Sequence, residues 1–331
     1  MLRIVFMGSD AIALPALNWL AGEGRGVGEV VAVFTQPDRA AGRGQKVQAN
    51  QIKLWAEARG LPVLQPQKFG VAEREQLAAF KSDLSLVMAY GHILKQDVID
   101  TPRLGTLNLH TSVLSKYRGA SPIQTAIACG ETETGVTLMR MVLQLDAGPV
   151  ADVERVKIEL LDTATQVETK LAEACVPLLA RGLPTIESGT QIFAEQNEAS
   201  VSFCRRLEKR DGALDFNAPA ASLAARINGL MPWPGCSVTI NGQIVKLGVA
   251  DTVEGPTGVP GEVVGADAEG LLVATAEKTL RLRLLQRPGG RMLPAAEFLR
   301  GWPVTPGTRL PSQPMQPLVG KVPFPRIKSA G

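Results

Sequence analysis

Residues 2–7 read LRIVFM and residues 30–34 read VVAVF, and the segment 11–21 between them has apolar side chains at helical spacing. Two apolar runs of this length are typical of buried strands, whereas Ile12, Leu17 and Leu20 fall on one side of a helix. This order of strand, helix and strand predicts an α/β protein with a parallel, doubly wound sheet. No G-x-G-x-x-G motif follows the first run, so we interpret Gly8 as a turn residue.

The alternation of strands and helices continues to about residue 181. Further strands are predicted at 61–64, 84–90, 106–110, 133–139 and 150–158, and further helices at 52–59, 73–80, 121–129 and 163–181. The pattern then changes to short β-like runs separated by glycine, which are typical of a small β-barrel. The sequence therefore predicts a first domain of residues 1–189, a linker of 190–206, a second domain of 207–312 and a proline-rich basic tail of 313–331. The tail has no core pattern, so we expect it to be poorly ordered.

The composition is that of a soluble globular protein. The 331 residues are 45% hydrophobic and 20% charged, with a net charge of +3. No apolar run reaches the ~20 residues of a membrane span, and no signal peptide is recognisable. Four scattered cysteines and two histidines form no zinc-binding pattern. We therefore expect no metal, and we interpret the cysteines as reduced thiols of a cytoplasmic protein.

Two regions of the chain are basic. Residues 206–331 hold 15 basic and 10 acidic side chains, and residues 35–46 read TQPDRAAGRGQK. The second region has no hydrophobic period, which predicts an exposed, mobile loop. Arg39, Arg43 and Lys46 would present positive charge at the carboxyl edge of the sheet, where they suit contacts to phosphate. A solvated surface without a polyanionic partner explains either region equally well.

Polar residues at the end of the predicted strand 106–110 are candidate catalytic groups. Asn108 and His110 are two apart, and on an extended backbone such residues point to the same side. An amide stabilises a developing oxyanion, and an imidazole carries a proton. Asp146 would orient the imidazole if the fold brings it close. Because Asn-x-His also occurs by chance, the pair alone fits a loop without catalytic function as well.

Several blocks spread over about residues 1–312 resemble the methionyl-tRNA formyltransferase family. They are RIVFMG at 3–8, TQPD at 35–38, AYG at 89–91, NLH at 108–110, YRGASPI at 117–123, GVT at 135–137, DAG at 146–148 and PWPG at 232–235. The resemblance implies an α/β fold in which a Rossmann-like formyltransferase domain with a parallel-rich sheet precedes an OB-like β-barrel domain. It also implies a monomeric enzyme without a metal. This enzyme would transfer a formyl group from 10-formyltetrahydrofolate to the α-amine of methionyl-initiator tRNA, giving N-formylmethionyl-tRNA for translation initiation.

The resemblance also implies functions for individual residues. Matching positions make Asn108, His110 and Asp146 a catalytic trio. The expected folate contacts rest on positions that match the family and on the carboxyl edge of the sheet, where ligands bind in such folds. They are Ser112, Val113, Leu114, Ser115, Tyr90 and Gly91. The loop with Arg43, and with it Arg39 and Lys46, matches the insertion that meets the tRNA acceptor end.

Three positions depart from the family pattern. Ser115 replaces the usual proline and Val113 replaces a leucine, so we expect segment 112–115 to be less rigid. Pro149 stands where an acidic residue is usual, which is expected to alter the loop that carries Asp146.

Two other functions are compatible with parts of the sequence. Another 10-formyltetrahydrofolate-dependent formyltransferase, acting on a sugar nucleotide or a glycinamide ribotide, would share the catalytic trio. A small acceptor, however, needs neither the basic loop nor the positive C-terminal region. A non-catalytic RNA-binding protein built on a β-barrel would not need the trio.

Overall fold

The structure is a computed structural model that describes residues 1–41 and 46–325. Its strands are β1 (Leu2–Gly8), β2 (Gly28–Phe34), β3 (Arg39–Ala41), β4 (Lys46–Gln48), β5 (Val63–Leu64), β6 (Leu84–Met88), β7 (Thr106–His110), β8 (Arg118–Gly119), β9 (Glu133–Arg140), β10 (Val150–Lys157), β11 (Phe203–Cys204), β12 (Cys236–Ile240), β13 (Gln243–Leu247), β14 (Ala250–Val253), β15 (Val263–Ala266), β16 (Leu271–Ala274), β17 (Thr279–Leu282), β18 (Leu284–Gln286), β19 (Leu293–Pro294) and β20 (Val319–Gly320).

The helices are α1 (Leu14–Ala21), α2 (Gln51–Glu57), α3 (Val71–Ala79), α4 (Gln96–Ile99), α5 (Pro122–Ala128), α6 (Ala164–Glu187), α7 (Ala220–Gly229) and α8 (Ala295–Gly301). Short 3-10 turns lie at Ala11–Ala13, Glu23–Gly26, Glu198–Ser200 and Lys209–Gly212. Within the described residues, no helix is both long and apolar enough to cross a membrane.

The first of two compact units comprises Met1–Arg118, Gly135–Val156 and Thr169–Val201. Its sheet has the strand order β10-β9-β7-β6-β1-β2-β5. The pairs from β5 through β7 are parallel, and β9 adds antiparallel to β7. Every residue of β6 is buried, as expected for a parallel strand covered on both faces. The prediction of an α/β fold with a parallel-rich sheet is confirmed.

The strand order places the candidate site at one edge of this sheet. In chain order, β2 and β5 are added on one side of β1, and β6 and β7 are then added on the other side of β1. Ligands of open α/β sheets bind beyond the carboxyl ends of the strands at such a reversal. Tyr90 and Gly91 follow β6 after Ala89, and His110 ends β7.

The second unit comprises Gly119–Thr134, Lys157–Glu168 and Ser202–Gly331. It contains two four-stranded sheets, with orders β12-β13-β18-β19 and β14-β17-β16-β15. Their pairs are antiparallel, and buried apolar residues of both sheets belong to one core cluster with residues of α7 and α8. The strand-rich pattern predicted for this region is confirmed, whereas the predicted boundaries at 189, 206 and 312 stay predictions.

Arg205 and Asp211 form a buried ion pair in the second unit. The guanidinium donates hydrogen bonds of 2.8 and 2.6 Å to the two carboxylate oxygens of Asp211, which has no exposed surface. Burial alone would raise the pKa of Asp211, but the bonds from Arg205 and from the backbone N–H of Glu208 outweigh it and lower the pKa. The pair is therefore charged in the folded state.

Two segments that were predicted to be mobile or poorly ordered contain paired strands in their described parts, and residues 42–45 and 326–331 lie outside the described residues. Within the predicted tail, Leu318 is buried in the core of the second unit, and β20 pairs with β11. In the predicted mobile loop, β3 pairs antiparallel with β4, and Ala41 stands opposite Lys46. Both segments are too short to carry a hydrophobic period. Strand β20 pairs with residues distant in sequence, whereas β3 pairs with the nearby β4.

Candidate active site

Asn108 and His110 lie on a strand that is held from both sides. β7 is parallel to β6 on one side and antiparallel to β9 on the other, where His110 pairs with Thr137. His110 is only 6% exposed, whereas Asn108 is half-buried. Because the two residues are separated by one position on a strand, their side chains leave the same face of the sheet. The predicted placement of the pair on an extended strand is confirmed.

The imidazole of His110 lies between two oxygen atoms. Its Nδ1 is 3.7 Å from a carboxylate oxygen of Asp146, and its Nε2 is 3.0 Å from the carbonyl oxygen of Tyr117. A carbonyl oxygen only accepts, so Nε2 carries the hydrogen of this bond. The distance to Asp146 fits an ion pair with a protonated ring but is longer than a hydrogen bond. The structure thus brings two members of the predicted trio together.

Asp146 lies in the loop 141–149 between β9 and β10. Its backbone has φ of +48°, in the left-handed region that residues with a side chain rarely adopt. Two residues later, a Cβ added to Gly148 would lie 1.8 Å from the carbonyl oxygen of Arg140. The sequence Asp-Ala-Gly therefore suits this loop, because the position of Gly148 has no room for a side chain.

Segment 112–115 is fixed by hydrogen bonds to its own backbone and to β9. The Ser112 hydroxyl donates to the carbonyl oxygen of Lys116 at 2.7 Å. The Thr137 hydroxyl donates to the carbonyl oxygen of Ser112 at 2.6 Å and accepts from the N–H of Leu114 at 3.2 Å. Ser115 is buried, and Val113 and Leu114 are half-buried. Polar contacts therefore hold a segment that was expected to be less rigid without its proline.

Thr137 was quoted in the Gly-Val-Thr block but received no function from the sequence. Its function depends on the antiparallel pairing of β9 with β7, which local patterns do not specify. The available signal was a threonine, able to donate and accept, in the otherwise apolar run of residues 136–139.

Tyr90 and Gly91 lie beyond the end of β6, which stops at Met88 and not at Tyr90 as predicted. Tyr90 is 2% exposed, and its ring lies 4.8 Å from the ring of His92. Tyr90 Oη and His92 Nε2 are buried and have no hydrogen-bond partner among the described residues. Burial raises the pKa of Tyr90 and lowers the pKa of His92, so both side chains are neutral at pH 7.

The basic hairpin of β3 and β4 is joined to this turn through Gln36. Gln36 Nε2 donates to the carbonyl oxygen of Tyr90 at 3.0 Å, and Gln36 Oε1 accepts from the guanidinium of Arg39 at 2.7 Å. Lys46 is exposed at the start of β4. Arg43 lies outside the described residues. The structure thus connects Arg39 to the candidate folate edge through one side chain.

The base of the hairpin is held by a second set of polar contacts. Asp38 accepts from Lys53 Nζ and from Gln65 Nε2, each at 2.7 Å. These two bonds lower the pKa of Asp38. Among the described residues, no group of three His, Cys, Asp or Glu side chains is placed to hold a metal ion.

Comparison with known proteins identifies the family. The chain is 42% identical over 293 residues to the methionyl-tRNA formyltransferase of Ectopseudomonas mendocina, covering 88% of this chain and 92% of the relative. It is 39% identical over 313 residues to the methionyl-tRNA formyltransferase of Gluconobacter oxydans, covering 93% and 100%. An N-formyltransferase from Helicobacter canadensis, solved with folinic acid and dTDP-3-aminofucose, shares the fold with a TM-score of 0.64 at 18% identity, covering 85% of this chain and 99% of that chain.

Two family models match separate parts of the chain. The model described as "Formyl transferase" matches residues 2–183, and the model described as "Formyl transferase, C-terminal domain" matches residues 206–303. The resemblance seen in the sequence blocks is thereby confirmed, and the chain belongs to the formyl transferase family.

Proposed function

We propose that this protein transfers the formyl group of 10-formyltetrahydrofolate to the α-amine of methionine on initiator tRNA. The observation that carries the proposal is the placement of Asn108, His110 and Asp146 at the carboxyl edge of a formyltransferase sheet. Two methionyl-tRNA formyltransferases of about 40% identity match this chain over nearly their whole length. This similarity supports initiator tRNA as the formyl acceptor.

The catalytic step follows from these side chains. The neutral amine attacks the formyl carbon, and the carbonyl oxygen becomes an oxyanion of a tetrahedral intermediate. The Asn108 amide donates a hydrogen bond to that oxyanion, and removing such a donor costs about 100- to 1000-fold in rate. His110 gives up its bond to the carbonyl oxygen of Tyr117 and assists the reaction by carrying a proton. The bond from carbon to N10 of the folate then breaks. N10 takes up a proton and the new amide nitrogen loses one, so the protons balance.

Asp146 orients the ring of His110. Nε2 is bonded to the carbonyl oxygen of Tyr117 and Nδ1 faces the carboxylate of Asp146, so the ring meets an oxygen atom on both sides. The ring is therefore oriented before the substrate arrives.

The folate contacts are assigned to segment 112–115 and to the turn with Tyr90 and Gly91. The hydrogen bonds of Thr137 support this assignment, because they fix the backbone of Ser112 and Leu114 next to His110. Tyr90 and Gly91 are included because they follow the carboxyl end of β6, the strand next to β7, where ligands bind in such sheets.

The tRNA contacts are assigned to Arg39, Arg43 and Lys46. The paired strands β3 and β4 present Arg39 and Lys46 on a two-stranded ribbon. Positive charge on such a projection suits the phosphates of an acceptor stem. It also favours tRNA over a sugar nucleotide, which is too small to need a separate basic ribbon.

The test is a formyl-transfer assay with two acceptors, methionyl-initiator tRNA and a dTDP-amino sugar, for wild type and the variants Asn108→Ala and His110→Ala. We expect formylation of the tRNA only, and a loss of about 100-fold or more in each variant with folate binding retained. Thr106→Ser is the matched control on the same strand, because serine keeps the hydroxyl that donates to Ile99. Near wild-type activity of His110→Ala, or preference for the sugar, would contradict the proposal.

A further inference from the structure

We infer that Gln196, oriented by Arg118, is a positioning residue for the loop that carries Asp146. The inference rests on the proposed catalytic function of Asp146. Gln196 lies in the segment that the sequence predicts to be a linker, and no function follows for it from the sequence blocks. All residues of the argument belong to the first unit.

Gln196 binds the backbone of the loop 141–149 on both sides of Ala147. Its Nε2 donates to the carbonyl oxygens of Asp146 and Gly148, each at 2.8 Å. A side-chain amide has two N–H donors, so both are used. We call this pair of bonds the tether.

Arg118 determines which end of the Gln196 amide faces the loop. Its Nε and Nη2 donate to Gln196 Oε1 at 3.0 and 2.9 Å, and Nη2 also donates to Glu198 at 3.1 Å. Arg118 is only 5% exposed. A flipped amide would direct its N–H groups at a buried guanidinium, which has no acceptor, so the observed orientation is the favourable one.

The contacts close a ring that includes the catalytic pair. His110 Nε2 donates to the carbonyl oxygen of Tyr117, the residue that precedes Arg118. Arg118 binds Gln196, Gln196 binds the backbone of Asp146, and the carboxylate of Asp146 faces His110 Nδ1. Nε2 of the imidazole is thus positioned by Tyr117 and Nδ1 by Asp146, and Arg118 and Gln196 connect these two residues.

The loop is partly strained and partly exposed. Asp146 has a left-handed backbone conformation, which residues with a side chain rarely adopt. Leu143 and Leu145 are 66% and 55% exposed, whereas Met141 at the start of the loop packs against the core of the sheet. The tether therefore acts on the part of the loop that follows these exposed side chains.

Gln196 itself has a fixed position. Ala194, two residues earlier, exchanges backbone hydrogen bonds of 2.8 and 2.9 Å with Val150. Gln191 donates to the carbonyl oxygen of Ala151 at 2.8 Å, and the guanidinium of Arg140 lies 4.4 Å from the centre of the Phe193 ring. The segment 191–196 is thus docked on the start of β10.

The test compares Gln196→Glu with Glu198→Gln. Glutamate keeps the oxygens that accept from Arg118 but has no N–H for the loop, so the tether is lost while the buried guanidinium stays paired. We expect kcat to fall about 10- to 100-fold, with KM for both substrates within about threefold of wild type and an unchanged melting temperature. Glu198→Gln is the control, because it changes the other acceptor of Arg118 at a highly exposed side chain. We expect this variant to leave kcat unchanged. Gln196→Asn, an uncharged amide one methylene shorter, should lower kcat similarly.

A double-variant cycle with Asp146→Asn separates this inference from the proposed function. If Gln196 acts through Asp146, Gln196→Glu causes little further loss in the Asp146→Asn background. Full activity of Asp146→Asn alone would overturn the proposed catalytic function. Impaired Asp146→Asn combined with an active Gln196→Glu, or with fully additive losses, would overturn the positioning role alone.

Discussion

Replacing Thr137 with valine should loosen segment 112–115 without disturbing the strand that carries the threonine. Thr137 is fully buried, and valine has nearly the same shape and suits a strand. The substitution removes the bond donated to the carbonyl oxygen of Ser112 and the bond accepted from the N–H of Leu114. At about 1 kcal/mol for each bond, the segment loses roughly 2 kcal/mol of local stability. Since 1.4 kcal/mol corresponds to a factor of ten, the Leu114 amide should exchange with solvent roughly 30-fold faster.

The assay is hydrogen exchange at the Leu114 amide, combined with KM for 10-formyltetrahydrofolate. In Thr137→Val we expect faster exchange at Leu114 and a raised KM for the folate, while amides of β6 keep their protection. Thr137→Ser keeps the hydroxyl and loses only a methyl group, so exchange at Leu114 should stay within a few-fold of wild type. Unchanged exchange in Thr137→Val, or equal acceleration in both variants, would refute the assignment of these hydrogen bonds.

Three further predictions address other parts of the molecule. Gly148→Ala places a Cβ where a carbonyl oxygen lies 1.8 Å away, so kcat should fall in turnover assays, whereas Gly26→Ala, with no atom within 4 Å of its added Cβ, should be neutral. Because the pKa of Asp211 is lower in the folded protein than in the unfolded chain, the charged carboxylate stabilises the second unit at pH values above its unfolded pKa of about 3.9. This stability is lost as the pH falls through the lower pKa of the folded state. Calorimetry from pH 7 to pH 3 should find this loss below about pH 4, and less of it in Asp211→Asn. Arg39→Gln should reduce the slope of log affinity for tRNA against log salt by about 0.7–0.9 if that side chain contacts one phosphate; an unchanged slope would place Arg39 away from the phosphates.

The sequence was most informative where one physical signal dominated. β7 begins and ends at the predicted residues because Leu107 and Leu109 alternate with polar residues and Gly105 precedes the strand. Helix α6 was predicted to end at residue 181, but it continues to Glu187 with Pro177 and Pro184 inside it. Tertiary packing of its apolar face outweighed the usual tendency of proline to end a helix.

The contacts that complete the candidate site could not be predicted from local patterns. Asp146 was expected near His110 only on the condition that the fold brings it close, and the 3.7 Å separation depends on a loop between two strands. Gln196 and Thr137 contact residues that are 50 and 25 positions away in the chain. Such pairings are set by the antiparallel addition of β9 and by the docking of segment 191–196, neither of which has a periodic signature.

The direction of β9 explains why the carboxylate of Asp146 approaches His110 from a loop and not from a strand. His110 pairs with Thr137 and Leu107 pairs with Arg140, so the last residue of β9 lies beside the start of β7. The loop therefore begins three strand residues, or about 10 Å, away from His110. The loop must therefore extend back along the sheet, with its own ends joined where the N–H of Arg140 donates to Pro149. The predicted boundary at residue 189 would separate this loop from Gln196, whereas the first compact unit continues to Val201 and contains both. If Gln196 positions Asp146 as inferred, the residues needed for catalysis extend beyond the last residue of helix α6.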